Sequence, residues 1–159
     1  MSNGDQLEIV ARVALALLLG SLIGLEREYR GHEAGIRTSA LVAAAAAAFA
    51  EVSFIQGDDR IAAGVVQGIG FLGAGLIFQR HRGVSGVTTA ATIWMVASIG
   101  LLVASRLWLT SIVLTAVIIG LLELVPVSNW VYRHGRHHSV ARHPPVSEND
   151  PPPDTGGDA

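Results

Sequence analysis

Residues 61–78 read IAAGVVQGIGFLGAGLIF, and the fold turns on whether this stretch cradles a nucleotide or crosses a membrane. Within it, Gly68, Gly70 and Gly73 satisfy the dinucleotide-binding pattern G-x-G-x-x-G. That pattern works where a strand runs into a tight glycine turn that opens a helix, with an acidic residue about 20 positions later to hold the ribose. After Gly73 the next acidic residue is Glu123, and Gln67 is the only strongly polar side chain in the stretch. An uncharged run of about 18 residues is long enough to cross hydrocarbon. The stretch is therefore read as a membrane helix, and no nucleotide is expected at its glycines.

The rest of the chain points the same way. Of its 159 residues 50% are hydrophobic and only 15% are charged, with a mean hydropathy of +0.46. Soluble domains carry about 25% charged residues, so the deficit indicates lipid as solvent. There is no cysteine, which removes disulfides, thiolate metal sites and cysteine nucleophiles together. The N-terminus has no basic region, and the first apolar run is longer than a cleavable leader, so it is read as a first span.

Five apolar stretches follow one another: Leu7 to Leu25, Thr38 to Ile55, Ile61 to Phe78, Val87 to Ala104 and Leu107 to Val125. Each approaches the roughly 20 residues that a spanning helix needs, and the short connections make neighbours antiparallel. The expected fold is an all-α integral membrane bundle of about five transmembrane helices. Arg27, Arg30, Arg37, Arg80, Arg82, Arg133, Arg136 and Arg142 fall on one side, and Arg12, Arg60 and Arg106 on the other. The positive-inside rule then places the N-terminus outside and the C-terminus in the cytoplasm.

Residues 1–126 are read as the membrane domain and 127–159 as a polar cytoplasmic tail. The tail is rich in His, Arg and Pro and ends in PPPDTGGDA; with few apolar residues to offset the entropy of ordering, it is expected to be disordered. Trp130 and Tyr132 fit an aromatic anchor at the headgroups. His134, His137, His138 and His143 are the candidate metal ligands, a weak set without acidic or cysteine partners. Otherwise the metal question stays open. No other cofactor is expected.

In the third stretch Gly64, Gly68 and Gly75 share a helical face that Gly70 and Gly73 widen. Lipid gives no hydrophobic drive for helix association, so small-residue surfaces of this kind bring backbones together. The third helix is accordingly expected to be the central, most closely packed one, meeting the alanine run Ala43 to Ala48. Two other uses of the same glycines are a homo-oligomer through Gly64-x-x-x-Gly68 and an unwound helix around a substrate.

Charges at the span ends are the next candidates, because ionisable groups at membrane depth face protein or water. Glu26, Arg27 and Glu28 close the first span, and a short loop brings Arg37 near Glu26 or Glu28, as a hairpin salt bridge or as a functional site. Glu8 and Arg12 are spaced for an i,i+4 pair, while Glu51 and Glu123 lie near span ends, where they can snorkel. Thr88 and Thr89 open the fourth span and suit capping or interhelical bonding, and Trp94 lies about two turns inside it. A faint repeat relates Gly35-Ile36-Arg37-Thr38-Ser39-Ala40 to Gly86-Val87-Thr88-Thr89-Ala90-Ala91 and Gly24 to Gly75. Nothing matches a hydrolytic triad, a P-loop or a metalloprotease helix, so an enzyme is not expected. Nor is a nucleic-acid partner.

Four blocks, Gly20-x-x-x-Gly24-Leu25-Glu26-Arg27-Glu28, Gly35-Ile36-Arg37-Thr38-x-Ala40-Leu41-Val42, GIGFLGAG and Gly86-Val87-Thr88-Thr89-Ala90-Ala91-Thr92-Ile93-Trp94, together resemble the signature of the MgtC/SapB family. The resemblance implies a bacterial inner-membrane protein, linked in its best-known members to growth in low magnesium, survival in macrophages and restraint of the F-type ATP synthase. It carries functional weight to Glu26, Arg27, Glu28, Arg37, Thr38, Thr88, Thr89 and Trp94, and to Gly68, Gly70, Gly73 and Gly75. The virulence-factor members continue into a folded cytoplasmic domain and carry Asn where this chain has Thr88, so the chain resembles a short, SapB-like member. Its expected role is to bind membrane lipid and an integral-membrane partner, modulating ATP synthase or another complex during magnesium stress. The alternative is a transporter or channel for Mg2+ or another small solute, motivated by Glu26, Glu28 and Glu51 beside a glycine-rich helix.

Overall fold

The computed structural model describes residues 2–80 and 83–124. Five helices account for most of them: α1 (Asn3–Tyr29), α2 (Ile36–Gln56), α3 (Asp59–Gly75), α4 (Val87–Ala104) and α5 (Trp108–Glu123). A capping box opens α1, where the Asp5 amide donates to Ser2 Oγ at 3.2 Å and the Ser2 amide to Asp5 Oδ2 at 2.7 Å; two amides that the helix itself leaves without acceptors are thereby satisfied. At the start of α3 the Arg60 amide donates to Asp58 Oδ1 at 3.0 Å. The five expected helices are present, and α4 coincides with its expected bounds. α3 stops at Gly75, short of the expected Phe78, because the Leu76 amide closes onto the Gly73 carbonyl at 3.1 Å. Two short antiparallel strands, β1 (Phe78–Arg80) and β2 (Gly83–Ser85), follow, with Phe78 opposite Ser85. The 126/127 boundary, the tail histidines, Trp130 and Tyr132 lie outside the described residues.

α1, α2 and α4 are long and apolar enough to cross a membrane. α3 and α5, at 17 and 16 residues, are roughly 25 Å long. Many large apolar side chains point outward, including Leu18, Leu22 and Leu25 of α1 and Leu109, Val113 and Val117 of α5. Such a surface is costly in water and suited to hydrocarbon.

The centre of the bundle is α4, not α3. α4 buries ten positions, from Thr89 to Ala104, whereas α3 buries only Ile69 and Gly73. The expectation for the third span is corrected by where the small residues meet. A Cβ added at Gly20 would stand 2.7 Å from Ala43 Cβ, and one at Gly24 would stand 2.6 Å from Ile36 Cα. On the other side of α2, a Cβ at Gly100 would run into the Ala43 carbonyl and lie 2.8 Å from Ala46 Cβ. The alanine face of α2 is thus covered by glycines of α1 and α4. Cβ atoms built on Gly64, Gly68 or Gly75 meet nothing within 4 Å. Close approach needs small residues on both facing helices, and the alanines are already taken.

Polar contacts between helices fix the relative directions of α1, α2, α4 and α5. Arg12 near the start of α1 pairs with Glu51 near the end of α2, and Arg106 after α4 lies 4.0 Å from Glu8. At the opposite end, Arg30 just after α1 pairs with Glu123 at the end of α5, and Arg27 meets Thr89 at the start of α4. The short arginine-rich connections α1–α2 and α3–α4 therefore share one end.

Candidate functional site at the arginine-rich end of the bundle

The residues Glu26 to Tyr29 form the last turn of α1 and Arg30 caps it, so their side chains spread around the bundle end. Glu26 Oε1 lies 2.9 Å from Arg30 Nε, and Arg30 also binds the Glu123 carboxylate, tying α1 to α5. Glu28 Oε2 accepts from the Ile36 amide at 2.9 Å, so the carboxylate caps α2, whose own N-cap residue is Gly35 and has no side chain for the task. Anionic groups are favoured there by the unsatisfied amides and the helix dipole.

Arg27 is only 3% exposed. Its Nη2 donates to Thr89 Oγ1 at 3.3 Å, its Nε has no hydrogen-bond partner, and no described carboxylate lies within ion-pair distance. It forms the inner wall of a polar cavity of about 370 Å3, whose other lining residues are Gly31, His32 and Glu33 from the α1–α2 loop, Ser85 at the end of β2, and Gly86 to Thr89 at the start of α4. Gly86 precedes α4 with φ +88°, and an added Cβ would clash with the Leu76 carbonyl. Only glycine fits both requirements.

The site residues expected from sequence are divided by this geometry. Glu26, Arg27, Glu28, Thr88 and Thr89 gather at one end of the bundle. Arg37 does not pair with Glu26 or Glu28; it and Thr38 are exposed on α2, because Glu26 has Arg30 one turn away and Glu28 is engaged by the Ile36 amide. Trp94 is 44% exposed and lies along α3, where Cβ atoms built on Gly70 and Gly73 would come within 3.9 and 3.7 Å of its ring. Among the described residues no group of three or more His, Asp or Glu is placed to hold a metal ion.

Two features lay beyond the sequence expectation. Arg30 bridges two helices, and its i,i+4 spacing from Glu26 was the available signal. At the other end, Arg12 binds both Glu8, at 2.7 Å, and Glu51, at 2.6 Å; the first was legible from spacing, the second only from the fold.

A family model described as MgtC family matches residues 13–129. The chain is 46% identical over 119 residues to Protein MgtC of Brucella abortus, covering 72% of this chain and 50% of that protein. It is 43% identical over 126 residues to Protein SrpB of Synechococcus elongatus, covering 68% of this chain and 69% of the relative. Against Protein MgtC of Salmonella typhimurium it is 50% identical over 96 residues, or 58% and 42% of the two chains. The chain thus spans about half the length of the MgtC relatives it matches. No solved structure matches it. With a family model covering most of its membrane part and the motif-bearing residues folded into one helical unit, the chain belongs to the MgtC family.

Proposed function

We propose that this chain is a multi-pass protein of the bacterial cytoplasmic membrane that acts without catalysis, by docking onto a membrane complex and modulating it during magnesium limitation or related stress. The F-type ATP synthase is the first complex to test. The observation that carries this reading is the open glycine face of α3. A Cβ added at Gly64 or Gly68 would meet no described residue within 4 Å, and beside them an apolar groove of about 540 Å3 runs between α2 and α3, lined by Leu41, Phe49, Val65 and Leu72 among others. In lipid, a groove floored by glycine accepts a further transmembrane helix at close range, through backbone contact and packing.

The transport alternative relied on Glu26, Glu28 and Glu51 as cation ligands. In the fold each is engaged by the chain itself, through Arg30, the Ile36 amide and Arg12 respectively. Hard cations need several oxygen ligands from one place, and these three carboxylates are split between the two ends of the bundle. This weighs in favour of the docking role.

The orientation that supports it has the α1–α2 and α3–α4 connections in the cytoplasm, since they carry the arginine excess. The test is ATP-driven proton pumping in inverted membrane vesicles from magnesium-limited cells, with and without the chain. Pumping is expected to fall when the chain is present and to recover when it carries Gly64→Leu and Gly68→Leu. Pumping unaffected by the chain would remove ATP synthase as the target, and magnesium flux into liposomes by the purified chain would overturn the docking role.

A further inference from the structure

We propose that the cavity between Arg27 and the start of α4 is a binding site for a phosphate group. The first element is a buried cation with no ion pair among the described residues. Arg27 is 3% exposed, has one hydroxyl contact of 3.3 Å, and keeps Nε without a partner. Burying a guanidinium costs on the order of several kcal/mol unless an anion or several hydrogen bonds compensate it, so an anion beside Arg27 would be strongly favoured.

The second element is the helix end that faces it. α4 has 18 residues and an N-cap glycine that supplies no side-chain acceptor. Its first internal bond runs from the Ala90 amide to the Gly86 carbonyl at 2.8 Å, which leaves the amides of Val87, Thr88 and Thr89 without intrahelical acceptors. Such amides, with the positive end of the helix dipole, form an anion site. Thr88 and Thr89 add hydroxyl donors on the cavity wall. A planar guanidinium opposite amide and hydroxyl donors is the donor set that phosphate oxygens accept.

The same chain shows what fills such a position. α2 begins one residue after Gly35 as α4 begins one residue after Gly86, and the α2 start is occupied by the Glu28 carboxylate. The residue standing to Gly86 as Glu28 stands to Gly35 is Gln79, which carries no charge. Among the described residues no carboxylate is bonded to the start of α4 as Glu28 is to that of α2. A volume of about 370 Å3 is many times the roughly 30 Å3 share of one water, enough for a hydrated phosphate group. Glu33 on the rim opposes the anion and keeps binding exchangeable.

The phosphate group belongs either to free phosphate or to an anionic lipid headgroup, and two arms of one experiment separate them. The full chain, purified in a phosphate-free maltoside detergent, is titrated calorimetrically with inorganic phosphate at constant ionic strength. In parallel, native mass spectrometry scores retention of phosphatidylglycerol against phosphatidylcholine. Saturable phosphate binding that weakens at least about tenfold in Arg27→Gln, and a few-fold in Thr88→Ala, supports the site and assigns free phosphate. Selective retention of phosphatidylglycerol that the same variants lose supports it and assigns the headgroup. In the arm that binds, Glu33→Gln is expected to tighten the interaction. Thr88 is exposed, so Thr88→Ala decides the outcome if Arg27→Gln does not fold. Absence of saturable binding in both arms, or equal binding by wild type and every folded variant, would overturn the proposal.

Discussion

Arg12 Nε lies 2.6 Å from Glu51 Oε1, with both side chains more than nine-tenths buried, so α1 and α2 are pinned by a charge pair at the end opposite the candidate site. Removing Arg12 strands the buried Glu51 carboxylate, whereas removing Glu51 leaves Arg12 its second partner Glu8. Arg12→Met is expected to destabilise the bundle by about 3 kcal/mol or more, and adding Glu51→Leu to recover most of that loss. Thermal unfolding of the wild type, Arg12→Met, Glu51→Leu and the double variant in one detergent measures the cycle; additive losses would show that the pair is not coupled.

The glycines make opposite predictions according to their helix. Gly100→Ala forces a methyl group against the Ala43 carbonyl and Ala46 and is expected to cost about 1–3 kcal/mol. Gly64→Ala meets open space and, by helix propensity, is expected to leave stability unchanged or raise it by up to about 1 kcal/mol. Melting temperatures of the two variants test the assignment of α4, and not α3, as the central helix.

Arg30 bridges a buried carboxylate and an exposed one. The side chain of Glu26 is 7% exposed and that of Glu123 is 57% exposed. Glu123→Gln is therefore expected to cost less than about 1 kcal/mol. Arg30→Gln, which leaves Glu26 without its cation, should cost more, about 1–3 kcal/mol. Equal losses in unfolding experiments would mean that Glu26 is satisfied by something other than Arg30.

Glu28 acts through α2 and not through Arg37. Glu28→Ala removes the acceptor of the Ile36 amide and is expected to cost about 1 kcal/mol, with faster hydrogen exchange at the start of α2. Arg37→Ala, at an exposed position, is expected to change neither. A loss from Arg37→Ala as large as that from Glu28→Ala would restore the salt-bridged hairpin.

Much of this architecture was legible from hydrophobic run length, which marked all five helices and gave α4 its bounds. The hairpin Phe78–Ser85 was not, because strands of three residues leave no periodic signal. The candidate site was half legible. Glu26, Arg27, Thr88 and Thr89 stood out by type and position, but a sequence does not say which carboxylate meets which arginine, and local partners won over Arg37. The glycine pattern misled for a related reason. Gly64, Gly68 and Gly75 share a helical face, yet packing depends on the facing helix, and the alanines of α2 are met from two sides by Gly20 and Gly100. That one-sided packing is also what leaves Gly64, Gly68 and Gly75 uncovered by the described residues.

The most direct test of the docking account uses the absence of native cysteine. Gly68→Cys on the open face of α3 and Ala47→Cys inside the bundle, where Ala47 is 0% exposed, are expressed separately in magnesium-limited cells and treated with a short membrane-permeant cross-linker. The account predicts a discrete cross-linked product from Gly68→Cys containing a subunit of a membrane complex, and none from Ala47→Cys. Lipid-only labelling at Gly68, with no protein adduct, would contradict it.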